Sequence, residues 1–141
     1  MATDSTDNSP DDKAIRPGRG ELAFTSEERK KVHALIVEAD QVDANELRES
    51  MILLGYTAPH VESDHVRALK IFQERPFTHV LFTAKFTTMD ALSFLESIVK
   101  SDERIIAVPT SYDPQIDDVF TLLQKGARWF LVKPFNKHSL D

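Results

Sequence analysis

No cysteine occurs among the 141 residues, which excludes disulfides and thiolate-ligated zinc. Glycine is scarce, at four residues, and no glycine-rich phosphate loop is among them. Positive charge is in deficit: the formal net charge is −6 and the pI is near 5.3. Binding of nucleic acid or an anionic membrane by this segment is therefore disfavoured. The first twenty residues hold no apolar run, and no later run approaches membrane-spanning length. Neither a signal peptide nor a membrane helix is expected, and the cytoplasm is the expected location. Ser/His/Asp order and metal-ligand spacing are also missing, so no enzyme activity, cofactor or metal is expected.

What remains is ordinary for one globular domain: 41% hydrophobic and 28% charged residues. Met1 to about Gly20 is rich in Asp, Ser, Thr, Pro and Gly. Such a stretch buries too little surface to offset the entropy of ordering. Residues 1–30 are accordingly assigned to a polar, disordered tail and 31–141 to the domain. Thr25-Ser26-Glu27-Glu28 fits a capping box and suggests a short helical lead-in through Lys31.

From His33 onward, short apolar runs alternate with helical patterns. Ala34-Leu35-Ile36-Val37 reads as a strand buried on both faces. Val42, Leu47, Met51 and Leu54 follow at near-helical spacing, with Gly55 at the C-terminal cap. A short edge strand is expected over Ala58 to Val61, then a helix capped by Asp64 and stopped by Pro76. His79 to Phe82 and Ile105 to Val108 are the next strands, with a helix through Ala91, Leu95 and Ile98 between them. Val119, Phe120, Leu122 and Leu123 form an apolar helical stripe ending at Gly126, and Trp129 to Val132 is the last strand. This alternation predicts an α/β fold: a flavodoxin-like, doubly wound parallel sheet of five strands in order 2-1-3-4-5, with helices on both faces. A fifth crossover helix just begins at Asn136, so it is either very short or the chain is an excerpt of a longer protein.

Functional sites in such sheets lie at the strands' C-terminal ends. Those ends carry Glu38-Ala39-Asp40, Thr83, Thr110, Phe130 and Lys133-Pro134. Each has a bland alternative: an acidic helix cap, a turn threonine, or a Lys-Pro break after a strand. His60 and His65 bracket a loop with poor geometry for a metal pair, and satisfied or exposed histidines are the simpler reading. Asp117-Asp118 most simply favours a helix N-terminus.

Taken in order, the set resembles the response-regulator receiver (CheY-like) family over roughly Val32 to Asp141. Gly126-Ala127-Arg128-Trp129-Phe130-Leu131-Val132-Lys133-Pro134-Phe135 is similar to that family's Gly-Ala, aromatic and Lys-Pro-Phe ending. Leu53-Leu54-Gly55-Tyr56 is similar to its close of the first helix, and Met89-Asp90 survives from its acceptor loop. The resemblance places the phosphoacceptor aspartate on Thr83, whose hydroxyl is a poor nucleophile without a neighbouring base. It also places Ala39 where the family keeps a magnesium carboxylate. Magnesium-assisted aspartyl phosphorylation is thereby lost twice over. Glu38 and Asp40 remain as an acidic pocket, Thr110 and Phe130 fall on the switch positions, and Lys133 on the conserved lysine. A one-residue slip of the switch position to Pro109 stays open. Lys133 is expected either to pair with Glu38 or Asp40 or to serve only as a structural turn, and the Phe130 ring is expected to pack inward.

The resemblance implies a degenerate pseudo-receiver that docks a protein partner or dimerises through the face of its fourth helix and fifth strand. Two other functions are weighed against it. One is a switch driven by Ser/Thr phosphorylation at Thr83 or Thr110, disfavoured by the nearby carboxylates. The other is a small-ligand or flavin site, disfavoured because Glu38-Ala39-Asp40 would repel a phosphate.

Overall fold

In the computed structural model, residues 25–84, 87 and 89–133 are described. The expected tail Met1–Gly20, the helix start at Asn136 and Pro134 lie outside them. The strands are β1 (Ala34–Val37), β2 (His60–Glu62), β3 (His79–Thr83), β4 (Ile106–Ser111) and β5 (Leu131–Val132). The helices are α1 (Ser26–Lys30), α2 (Gln41–Leu53), α3 (His65–Glu74), α4 (Ala91–Ser101) and α5 (Ile116–Gln124). All strand pairs are parallel and the order is β2-β1-β3-β4-β5, as the alternating pattern predicts.

Side chains of β1 point alternately to two faces and so divide the core. Leu35 and Val37 join Val80, Phe82, Phe94, Leu95 and Ile98 in one buried cluster that α3, α4 and α5 cover. Ala34 and Ile36 join Leu81, Val108, Leu47 and Met51 in a second cluster under α2. Helices thus lie on both faces, which is what a doubly wound sheet requires. Caps fix where the helices start: Asp40, Asp64 and Asp90 each accept a backbone N–H three residues on. Gly55 ends the α2 segment at φ +95°, a conformation that a Cβ would strain.

Several boundaries differ from those read off the sequence. Ser26–Lys30 form α1, started by the capping box of Thr25 and Glu28 as expected, although residues up to 30 are assigned above to the tail. Arg29 ties this helix down by donating to the Leu54 carbonyl and lying over the Tyr56 ring, 5.3 Å from its centre. β4 does not stop at Val108 but continues through Pro109 to Ser111, where it pairs with β3 as far as Thr110 and with β5 from Thr110. β5 shrinks to two residues at the sheet edge. Val42 is not a core position: it is exposed, and Ala44 takes its place facing the sheet. The apolar stripe of α5 is also mostly outside the core, since only Leu122 is fully buried.

Candidate functional site

Three strand ends and one helix start converge on a single buried cluster. β1 ends beside Glu38, β3 ends on Thr83, and Lys133 follows β5, held by its N–H donating to the Ser111 carbonyl at 2.9 Å. The Lys133 ammonium is 2.5 Å from Glu38 Oε1 and 3.6 Å from Asp43 Oδ2, and it donates to Thr83 Oγ1 at 3.2 Å. All four side chains are buried, Lys133 to 7% exposure. The Asp43 contact is charge on charge rather than a hydrogen bond, since that oxygen has no aligned donor. Glu38 is oriented from its other oxygen, which accepts the Asp40 N–H at 3.0 Å.

Asp43, not named in the sequence-derived pocket, is the second carboxylate beside the lysine, whereas Asp40, named there, stands at the exposed start of α2. Asp40 is exposed and spends its side chain capping α2 on the Asp43 N–H. The helix that it starts then turns Asp43, three residues on, toward the strand ends. The signal was available in principle, because a carboxylate in the first turn after a strand can face back over the sheet. The second missed residue is Tyr112, in the loop after β4. Its hydroxyl donates to Asp43 Oδ1 at 2.6 Å, and the Lys133 ammonium sits 5.2 Å from its ring centre. Two carboxylates facing one ammonium leave negative charge in excess, and the Tyr112 hydroxyl offsets part of it. That bond to Asp43 pushes the phenol up to about 12, because ionising it would remove the donor and set two anions together.

This shift yields a clean titration. The chain has two tyrosines, Tyr56 and Tyr112. In ultraviolet absorbance, Tyr112 is expected to ionise near pH 12, and in Asp43→Asn it should fall back toward the ordinary value of about 10. Because the folded value is the higher one, this group's contribution to stability is present below pH ~10 and lost as pH rises above it. A Tyr112 that titrates identically in parent and variant would disprove the bond.

Thr110 and Phe130, expected at switch positions from the resemblance, take definite places. Thr110 pairs with Thr83 across β3 and β4 while Pro109 pairs with Phe82. Thr110 is buried and its carbonyl accepts the Ala84 N–H at 2.9 Å. Phe130 is half-buried, packs against the larger core cluster, and lines a cleft of about 350 Å³ between α4 and α5. Asp90 does not reach the pocket; it caps α4. His65 is a structural pin rather than a ligand. It donates from Nε2 to the Thr83 carbonyl at 2.9 Å and stands edge-on to Phe94. Burial pushes its pKa down, the hydrogen bond to Thr83 opposing in part. His60 lies apart, its Nδ1 3.2 Å from Arg75. Among the described residues no group of three His, Cys, Asp or Glu is placed to hold a metal ion, and no helix is long and apolar enough to cross a membrane.

No protein-family model matches the chain, and no curated protein sequence matches it. Solved structures do. The chain is similar to the chemotaxis response regulator CheY4 of Vibrio cholerae, at 18% identity over 77% of this chain and 92% of that one, with a TM-score of 0.70. A CheY-like receiver domain protein from Methanospirillum hungatei matches at 20% identity over 77% and 86%, with a TM-score of 0.71. The beryllofluoride-activated NtrC4 receiver domain dimer matches at 21% over 77% and 89%, with a TM-score of 0.70. At these identities the likeness is one of fold: the chain has the receiver-domain fold.

Proposed function

We propose that this chain is a pseudo-receiver: a non-enzymatic signalling module of the two-component type that works by docking, without aspartyl phosphorylation. One observation carries the reading. The position where receiver domains would present a phosphoacceptor holds Thr83, and the lysine beside it is already buried against Glu38 and Asp43. A phosphoryl group would need an acidic acceptor, a divalent cation and a free ammonium at one point. Here the acceptor is a hydroxyl, Ala39 offers no oxygen ligand, and the ammonium is engaged. The same burial weighs against regulation by a Ser/Thr kinase, since Thr83 and Thr110 are both closed to solvent. In this reading the module resides in the cytoplasm, needs no cofactor, and binds through the α5/β5 face, where Ile116, Phe120 and Val132 are exposed.

The direct test is incubation with a small-molecule phosphodonor and magnesium, followed by intact mass. The expected spectrum is that of the untreated protein. An acid-stable, base-labile phosphoryl adduct on any aspartate or glutamate would refute the proposal.

A further inference from the structure

The docking face described above rests on the pseudo-receiver reading, and its own residues narrow what can occupy it. We infer that it receives a basic, amphipathic segment of another protein rather than a second copy of this chain. Ile116, Phe120 and Leu123 are spaced i, i+4 and i+7, so they form one stripe along α5. They are 71%, 59% and 39% exposed, whereas the helix fully buries only Leu122. Such a stripe matches the apolar face of an extended or helical segment.

Charge selects among the possible occupants. Residues 109–124 contain Asp113, Asp117 and Asp118 and neither lysine nor arginine. Asp113 precedes the helix, Asp117 stands on its solvent side next to the stripe, and all three are exposed. Asp118 lines the cleft on the opposite flank, together with Asp90. The next cation along the chain, Lys125, is turned toward Glu96 of α4 at 4.0 Å. A two-fold dimer on this face would set the patch against itself, bringing like charges together with no lysine or arginine from this segment to offset them. An acidic partner meets the same repulsion. A segment with leucine-like residues on one side and lysine or arginine along its edges satisfies both features. Long-range attraction to a chain of net charge −6 would also speed its arrival.

The probes are a short synthetic amphipathic helix built of leucine and lysine, and its counterpart with glutamate in place of lysine. Both carry a fluorophore and are titrated into the full chain at low salt by anisotropy, with amide NMR shifts to locate binding. The lysine peptide should bind, shifting residues 112–124, and the glutamate peptide should not. Phe120→Ser should weaken binding about tenfold or more and Asp117→Lys about fivefold, both with unchanged circular dichroism. Glu49→Lys, an exposed charge reversal on α2, should stay within about twofold. Equal binding of the two peptides, shifts located elsewhere, or an equal loss with Glu49→Lys would overturn the inference. So would a dimer in sedimentation that Phe120→Ser abolishes. The pseudo-receiver reading fails separately, by a phosphoryl adduct in the mass experiment, whatever the peptides do.

Discussion

Replacing Lys133 with methionine should destabilise the protein by about 3–5 kcal/mol, the cost of leaving buried charge without its partner. Methionine keeps most of the side chain's volume, so the loss is electrostatic rather than a cavity. Glu38 and Asp43 are both closed to water, and each has one oxygen with no other hydrogen-bond donor among the described residues. Removing the ammonium leaves two carboxylates facing each other across the site. Thr83→Ala removes a hydroxyl that accepts from the same lysine, and should cost about 1 kcal/mol. Urea melts of the two variants give the ranking. The double variant Lys133→Met, Glu38→Gln should recover part of the loss, because it deletes one of the stranded charges. If Lys133→Met unfolds at the parent's midpoint, the lysine is solvated and the pocket is not closed by its own side chains.

His65→Ala should cost about 2–4 kcal/mol, combining a lost buried hydrogen bond with a void against Phe94. The same residue makes the protein acid-sensitive. Burial lowers the pKa of His65 and of His79 in the folded state. In the unfolded chain both titrate near the ordinary value of about 6.5. Below that value the unfolded chain binds more protons than the folded one, so stability present at neutral pH declines as pH falls through the folded values. Denaturant midpoints at pH 7.5 and 5.5 should therefore differ, and His65→Leu should reduce the difference without abolishing it, since His79 remains. A parent midpoint that rises on acidification would contradict both assignments.

Both effects arise at places where sequence reasoning had named some of the atoms and missed their partners. Local pattern pointed to the strand order that the sheet adopts, because short apolar runs separated by capped helical segments allow few arrangements. The same pattern marked the strand-end positions, so Glu38, Thr83 and Lys133, which lie together in one cluster, were legible as neighbours. The residue types at two of those positions were legible too: a hydroxyl at Thr83 and a methyl at Ala39. Only the tertiary structure decided which carboxylate meets the lysine. Asp40 and Asp43 are equivalent in a linear reading, but the one that caps the helix is thereby turned outward and the one a turn later inward. Only packing brought Tyr112 across 69 positions of chain to Asp43, a contact that no periodicity encodes. The α5 stripe shows the limit from the other side. Helical spacing marks Ile116, Phe120 and Leu123 as one face, but an apolar face is the same in sequence whether it meets the core or the solvent. That choice depends on which side of the helix the sheet takes, and here the sheet takes Leu122.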